Sequence, residues 1–429
     1  MSGSGQPFPA KAGKISSLMP VTPAFLLPPA FHRLAWANLA AQSAEQLSLA
    51  AVPLVAVLLL GAGPGEIGLL AALQSLPFLL LSIPLGLLAD RVSRPRLMVG
   101  AEVLRAVSLV ALLAMVLTGQ LSIAGLALLG FAGAVGTVAF SVSAPALVPA
   151  LVPREAMARA NGRLELARSA AFAGGPALAG SLVAWAGASS AFVLAALLSA
   201  GAVALLLRLA EPPRSLAPRR HALLEIREGA QFVWRHEYLR PMLLCGVAWN
   251  TSWFVLQAAY VPYAVRALGL SAQGVGLTLA CYGAGMVAGA LLAARLVAAV
   301  PRFGHAVQFG PAVSVLAAAT MVATLLVPNG WLAGLSFFFF GFGPIVWTIT
   351  TTTLRQSVTP GAMMGRVTAV FLAASTGARP LGAALGGLVG AAWGEAACLV
   401  LALAGFALQA AIIIFSSLRR LERLPALPG

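Results

Sequence analysis

An acidic side chain stands inside the first long apolar stretch of the sequence. Asn38, Gln42 and Glu45 are separated by four and three residues, so they share one face of a predicted helix. An ionisable group deep in an apolar segment is costly unless it is paired or neutralised, which makes it a functional candidate. We predict that this face lines a cavity in which Glu45 loads and releases a proton. A structural carboxyl group paired with an arginine or a backbone amide is the alternative.

A basic side chain occupies a similar depth near the end of the chain. Arg379 directly precedes Pro380 in an apolar stretch. It can pair with Glu45, bind an anionic ligand, or donate hydrogen bonds to carbonyl groups that the proline leaves free. Two further acid–base pairs have the three-residue spacing that brings side chains together on a helix, and we expect them to form intrahelical or gate ion pairs: Glu102 with Arg105, and Glu165 with Arg168.

Aromatic and amide side chains are mixed in the stretch that begins near residue 249. Rings next to amide groups suit a bulky, partly apolar ligand. The candidates for lining a cavity are Trp249, Asn250, Trp253 and Gln257. Tyr260 and Tyr263 fit an aromatic belt at a membrane interface. Four consecutive phenylalanines at 337–340 point to all sides of a helix, which favours lipid contact and packing over a binding site.

Other chemistries lack the residues that they need. The four histidines and three cysteines are scattered without ligand spacing, and no G-x-x-x-x-G-K-[ST] motif is present for binding ATP. The net charge of +15 comes from basic residues in short gaps between apolar stretches rather than from one basic face. We therefore expect no enzyme activity, no metal, no cofactor and no nucleic-acid partner.

The composition is that of a membrane protein. Hydrophobic residues make up 60% of the 429 residues and charged residues only 9%, against about 25% charged in ordinary soluble domains. Apolar runs of roughly 20 residues can cross the hydrocarbon core as helices. The sequence predicts twelve such runs: 34–60, 66–88, 97–118, 121–148, 163–186, 188–208, 241–265, 273–298, 306–327, 331–353, 367–391 and 394–417.

Arginines occur in alternate gaps between these runs, while the remaining gaps together hold only Arg266. By the positive-inside rule, this asymmetry places both termini and the central segment in the cytoplasm. The arginine-rich central segment is read as a loop that contains an amphipathic helix. The predicted organisation is an N-terminal tail (1–32), a six-helix half (33–208), the central loop (209–240), a second six-helix half (241–418) and a C-terminal tail (419–429).

The two predicted halves resemble each other in sequence. Pro153 and the Gly162-Arg163 pair stand before one apolar run, and Pro360 and the Gly365-Arg366 pair stand before the corresponding run of the second half. Such parallel repeats build membrane transporters whose substrate site lies between the halves, near the middle of the bilayer.

A charged motif lies between the second and third predicted runs. It consists of Gly86, Asp90, Arg91, Arg94 and Arg96. This segment resembles the G-x-x-x-D-R-x-x-R-[RK] signature of the major facilitator superfamily, and the resemblance extends over residues 33–418. Asp90 at a helix end can pair with nearby arginines and cap a neighbouring helix, which would act as a conformational latch. A plain basic cytoplasmic loop is the alternative.

A second segment resembles an element found in proton-coupled exporters of that superfamily. It is the G-P-x-x-x-G element formed by Gly175, Pro176 and Gly180, which together with Pro380 are candidates for helix packing or hinge bending. Segments 76–98 and 161–180 are similar to the bacterial branch of enterobactin-type siderophore exporters and macrolide-efflux proteins. Generic close packing of small residues is the alternative explanation.

The resemblance implies an all-α transporter in a bacterial cytoplasmic membrane. We expect a monomer that exports a small amphipathic molecule, such as a drug, a macrolide or a siderophore-like compound, by rocker-switch alternating access driven by protons. A facilitator or nutrient importer on the same fold is the first alternative, and a membrane sensor that transports nothing is the second.

Overall fold

The backbone is almost entirely helical in the computed structural model, which describes residues 27–153, 156–210, 222–360 and 363–425, without the side chains of 83, 87, 90, 157–159, 161–162, 222–226, 294 and 365. The helices are α1 (Pro29–Leu60), α2 (Pro64–Arg91), α3 (Arg94–Leu117), α4 (Ile123–Leu151), α5 (Met157–Ala186), α6 (Ala188–Leu206), α7 (Ala222–Arg235), α8 (Leu239–Arg266), α9 (Ala272–Ala299), α10 (Phe303–Ala323), α11 (Gly330–Val358) and α12 (Met364–Ile414). A short 3₁₀ helix, Ser417–Arg420, follows.

Eleven of these helices, all except α7, are long and apolar enough to cross a membrane within the described residues. The last of them, α12, has 51 residues and would be about 75 Å long if straight, far more than one crossing needs. It consists of two helical segments that meet at Gly394, whose φ of 80° is not helical. The division falls where the sequence predicts the boundary between its last two runs. Helix α7 lies within the predicted central loop.

We refer to α1–α6 as the N-terminal helices and to α8–α12 as the C-terminal helices. One apolar core lies among the N-terminal helices around Phe31 and Phe140. A second lies among α7 and the C-terminal helices around Met242 and Ile413. The largest core includes residues of both sets. The sets meet where α2 packs on α12 and where α5 packs on α9.

The two sets fit together closely at one end of the bundle, which we call the distal end because it carries the α1–α2 and α8–α9 loops, away from the start of α1. At Gly68 of α2, a side chain would overlap the backbone of Ala383 and Gly387 in α12. At Gly180 of α5, it would overlap the backbone of Ala272 and Gly276 in α9. Small residues thus let helix backbones of the two sets touch.

Arg266 joins the two sets at the same end. Its guanidinium group at the last residue of α8 donates hydrogen bonds to the carbonyl oxygens of Gly61 (2.7 Å) and Ala62 (2.9 Å), just past the end of α1. It also contacts the carboxylate of Glu395 at 3.4 Å. A cation at a helix C-terminus is favourable because carbonyl groups are left without partners there. The isolated arginine of the sequence therefore closes the distal end.

Candidate functional site

A cavity of about 450 Å³ lies between the N-terminal and C-terminal helices. Among the described residues, four charged side chains line it, together with polar and aromatic ones. The charged residues are Glu45, Arg105, Arg168 and Arg379; the polar and aromatic residues include Gln46, Gln74, Phe78, Thr137, Phe172, Trp249, Asn250, Trp253, Phe254, Gln257, Tyr282 and Phe337. This volume suits a drug-sized ligand.

Glu45 faces this cavity from the middle of α1. Its carboxyl group interacts electrostatically with Arg105, Arg168 and Arg379, and it forms no ion pair with any described residue. Of the three residues on the predicted polar face of α1, only Glu45 is among the described residues that line the cavity. Asn38 donates instead to the carbonyl oxygen of Leu164 in α5 at 3.3 Å, and Gln42 is not among the lining residues.

The prediction for Asn38 is contradicted, because its side chain is buried against α5 and does not line the cavity. Helix α5 packs along α1 at Asn38, whereas the side chain of Gln42 is partly exposed and is not among the described lining residues. Gln46, which directly follows Glu45, lines the cavity in their place. Its position beside an acidic residue inside an apolar stretch was the only sequence signal available for it.

Arg105 is a buried member of a polar cluster next to Glu45. Its Nη1 lies 2.6 Å from Oε1 of Glu102, and both side chains are at most 5% exposed. Nη1 also donates to the carbonyl oxygen of Ala41, one turn before Glu45, at 3.2 Å, and Nη2 donates to Oγ1 of Thr137 at 2.7 Å. The predicted ion pair is present, and its arginine ties α3 to α1 and α4.

The second predicted pair is also present but is more exposed. Arg168 forms an ion pair with Glu165, and the two side chains are 36% and 56% exposed. The guanidinium carbon of Arg168 lies 5.4 Å from the ring centre of Phe172 on the same helix. Arg168 reaches the cavity, so an intrahelical pair contributes one charge to its wall.

Arg379 enters the cavity from the C-terminal helices. Its Nε donates a long hydrogen bond, 3.4 Å, to Oδ1 of Asn250. Its guanidinium carbon lies 5.6 Å from the ring centre of Phe78 and 5.9 Å from that of Phe254, distances typical of cation–π contacts. It forms no ion pair with a described residue. This geometry is compatible with two of the three predicted roles, ligand binding and long-range pairing with Glu45. The third role has no support, because no described hydrogen bond joins Arg379 to a backbone carbonyl group.

The C-terminal wall is aromatic. Trp249 and Trp253 stack with ring centres 5.4 Å apart and planes 11° apart, because a spacing of four residues places them one turn apart on α8. Trp253 also packs against Tyr282 (5.1 Å) and Phe340 (5.2 Å). Trp249, Asn250, Trp253 and Gln257 all line the cavity, as their mixture of rings and amides predicts.

Two aromatic predictions are wrong. Tyr260 and Tyr263 are buried rather than placed in an interfacial belt, because each hydroxyl group bonds a threonine of a neighbouring helix, Thr278 and Thr324 respectively. Phe337 is fully buried, packs 4.5 Å from the ring of Tyr260 and lines the cavity, although its run was predicted to make only packing and lipid contacts.

The charged motif lies at the end of α2 and the start of α3. Arg91 and Arg96 are exposed, and Arg94 donates from Nη1 to the carbonyl oxygen of Ala146 in α4 at 2.7 Å. The side chain of Asp90 is outside the described part of the structure. A side chain at Gly86 would meet no atom of the described residues within 4 Å, so none of their contacts in this conformation requires glycine there.

The candidate packing elements make close contacts. A side chain at Gly175 would overlap that of Gln46 in α1, and Gly180 touches the C-terminal helices as described above. Pro176 lines the cavity, and Pro380 is buried next to Arg379. Among the described residues, no group of three His, Cys, Asp or Glu side chains is placed to hold a metal ion.

Comparison with known proteins decides the family. The model of the Major Facilitator Superfamily matches residues 34–383. The chain belongs to the major facilitator superfamily. Its fold and family are those of multi-pass membrane transporters, which are generally not enzymes.

Two curated relatives are bacterial transporters of this superfamily. The chain is 32% identical over 246 residues to "Uncharacterized MFS-type transporter y4rN" of Sinorhizobium fredii, a match that covers 57% of this chain and 60% of that protein. It is 27% identical over 357 residues to "Enterobactin exporter EntS" of Citrobacter koseri, covering 80% of this chain and 82% of the relative. The second match supports the predicted resemblance to the enterobactin-exporter branch.

Solved structures share the fold. The nucleoside transporter NupG (a D323A mutant) superposes with a TM-score of 0.74 at 12% identity, covering 90% of this chain and 99% of that one. A bacterial homologue of the human lysosomal transporter Spinster, inward-facing and unoccupied, superposes with a TM-score of 0.72 at 16% identity, covering 91% and 97%. At these identities, the likeness concerns the fold alone.

Proposed function

We propose that this protein is a proton-coupled exporter of a small amphipathic molecule. One observation carries the proposal: a cavity between the two helix sets is lined by Glu45 from one set, which forms no ion pair with a described residue, and by a wall of aromatic rings from the other. An ionisable group inside a membrane bundle is suited to carry a proton, and the rings are suited to hold an apolar body. The similarity to an enterobactin exporter supports the outward direction.

We propose twelve membrane crossings, with both termini and the central loop in the cytoplasm. The eleven long apolar helices, the last of them divided at Gly394, support the count. The arginine distribution supports the orientation, because Arg266 is the only arginine in the gaps at the distal end. The distal end then faces away from the cytoplasm. We place the protein in a bacterial inner membrane, where it works as a monomer.

Rocker-switch alternating access fits the contacts between the helix sets. The glycine contacts at Gly68 and Gly180, with Arg266, hold the distal end shut. We propose that these contacts separate in the other state, while Gly86, Asp90, Arg91, Arg94 and Arg96 latch the cytoplasmic end. The space beside Gly86 supports this, because no described atom would contact a side chain at this position in the present state.

The function is tested by transport in inverted membrane vesicles, in which an exporter carries its substrate inward. A panel of radiolabelled drugs, macrolides and siderophores is added with and without a proton gradient. We expect at least one compound to accumulate only when the gradient is present. Equal uptake after the gradient is collapsed would indicate a facilitator. Accumulation only in right-side-out vesicles would indicate an importer.

The latch is tested by Asp90→Asn. A charge-assisted contact of about 1–3 kcal/mol would be lost, which shifts a balanced two-state equilibrium by about five- to a hundredfold. Labelling of a cavity cysteine (Ser48→Cys, with the native cysteines replaced by serine) from the two sides of the membrane measures the shift. The matched control is Arg423→Gln, an exposed arginine outside the motif. Unchanged labelling and turnover in Asp90→Asn would reduce the motif to a topology signal.

A further inference from the structure

The charges in the cavity wall do not cancel locally. Four charged side chains line the cavity: Glu45, Arg105, Arg168 and Arg379. Two of them have their own counter-charges, because Arg105 is paired with Glu102 and Arg168 with Glu165. The remaining charges are one carboxyl group and one guanidinium group.

These two groups come from opposite helix sets. Glu45 belongs to α1 and Arg379 to α12, and they interact electrostatically across the cavity. Neither forms an ion pair within the described part of the chain. The cavity is therefore a dipole, with its negative end on the N-terminal helices and its positive end on the C-terminal helices.

The bonding capacity of Arg379 is largely unused. A guanidinium group carries five N–H donors, and this one makes a single described hydrogen bond, of 3.4 Å, to Asn250. Phe78 and Phe254 cover it at cation–π distance. Arginine donors of this kind match a carboxylate or a similar oxyanion, which can accept two parallel hydrogen bonds.

We propose that the cargo is a zwitterionic amphipathic molecule whose cationic group binds Glu45 and whose anionic group binds Arg379. Its apolar body then lies on the stacked rings of Trp249 and Trp253. A cargo with one charge would leave either Glu45 or Arg379 without a ligand counter-ion between the two helix sets, which costs free energy. This inference rests on the proposed function, because it takes the cavity to be the transport site.

The arrangement also explains exchange of cargo for protons. A proton on Glu45 removes the negative charge that holds the cationic group, so proton and cargo compete for the same carboxyl group. A ligand bound at both ends touches both helix sets at once. It therefore interacts differently with the two states of a rocking transporter, as a transported ligand must.

The inference is tested with four probes that share one aromatic body and differ in charge. They are naphthylalanine (zwitterion), naphthylethylamine (cation), naphthylpropionate (anion) and naphthylpropionamide (neutral). Isothermal titration calorimetry measures their binding to the purified full-length protein in detergent, near neutral pH. We expect the zwitterion to bind about tenfold or more tightly than each singly charged probe, as one additional charge-assisted contact predicts.

Two variants test which protein side chain binds each charged end of the ligand. In Glu45→Gln, naphthylalanine should bind no better than naphthylpropionate, and in Arg379→Gln no better than naphthylethylamine. The charge-keeping variant Arg379→Lys should retain part of the preference, which separates lost charge from lost folding. Arg240→Gln is the matched control, because Arg240 also covers an aromatic ring, that of Trp234, but does not line the cavity.

The inference is overturned if wild-type protein binds a singly charged or neutral probe as tightly as naphthylalanine, or binds none of the four. It is also overturned if the preference survives in both glutamine variants. Equilibrium binding requires no gradient. If the transport screen fails but the purified protein still prefers the zwitterionic probe, only the proposed function is contradicted. If transport occurs but the zwitterionic probe is not preferred, only the proposal of a zwitterionic cargo is contradicted.

Discussion

The two walls of the cavity are built from different side chains. The N-terminal helices contribute three of its four charged residues, Glu45, Arg105 and Arg168, and two of these belong to ion pairs. The C-terminal helices contribute the stacked Trp249 and Trp253 and one arginine. The N-terminal wall thus presents a charge network, and the C-terminal wall presents stacked rings.

This difference indicates a division of work. A charge network stabilised by its own ion pairs can take up and release a proton at Glu45 without losing its structure. A packed aromatic wall can hold apolar bodies of varied shape because its contacts are not directional. In the proposed function, coupling occurs where the walls meet, and a change in one wall should affect proton transport more than cargo binding, or the reverse.

The largest expected effect comes from removing the carboxyl group of Glu45, which forms no ion pair with a described residue. Glu45→Gln keeps the shape and the hydrogen-bonding capacity but cannot titrate. Gradient-driven transport in inverted vesicles should be lost altogether, while binding of the neutral naphthylpropionamide should change by less than about twofold, within the range of a surface substitution. Glu422→Gln, an exposed change near the C-terminus, is the control. Full gradient-driven transport by Glu45→Gln would move proton coupling to another residue.

The next effect concerns stability and separates two ion pairs with identical spacing. Arg105→Gln leaves the fully buried Glu102 without its partner, which should cost about 3–5 kcal/mol of unfolding free energy. Arg168→Gln should cost only about 0–1 kcal/mol, because that pair is partly exposed. Thermal unfolding of the purified variants compares them. Equal losses would show that burial does not distinguish the pairs.

The smallest effect tests the aromatic wall. Trp253→Ala removes the ring that contacts Trp249, Tyr282 and Phe340. Binding of naphthylpropionamide should weaken by about 2 kcal/mol, or about thirtyfold in Kd. Trp253→Phe should recover most of it. Trp331→Ala, at a ring that is 88% exposed and outside the cavity, should have no effect on binding. Unchanged binding in Trp253→Ala would show that the stacked rings are not part of the binding site.

Local patterns predicted much of this site. The three-residue spacing of Glu102 with Arg105 and of Glu165 with Arg168 is enough to bring each pair together on a helix. The four-residue spacing of Trp249 and Trp253 predicted their shared face in the same way. The major facilitator motif predicted the family. The paired side chains are neighbours on one helix, so helix geometry alone brings them together. The motif is likewise a short local stretch of the sequence.

Predictions that depended on which helix covers which face were less successful. Asn38 and Gln42 share a face with Glu45 in a helical projection, but α5 covers part of that face. Tyr260 and Tyr263 have the composition of an interfacial belt, yet threonines on other helices bond their hydroxyl groups in the interior. A periodic pattern shows which residues share a face of a helix, but not which other helix packs against that face.

By itself, the sequence determined the apolar helices, the family and the local pairs, because lipid requires each helix to satisfy its own backbone hydrogen bonds. Only the tertiary structure decided that Arg105 is buried and Arg168 half-exposed, although their pairs have the same spacing. It also decided that Glu45 and Arg379, more than 300 residues apart, share one cavity. The reason is physical: the burial and the partners of a side chain depend on how helices pack across space, and that packing is not encoded in any single helix.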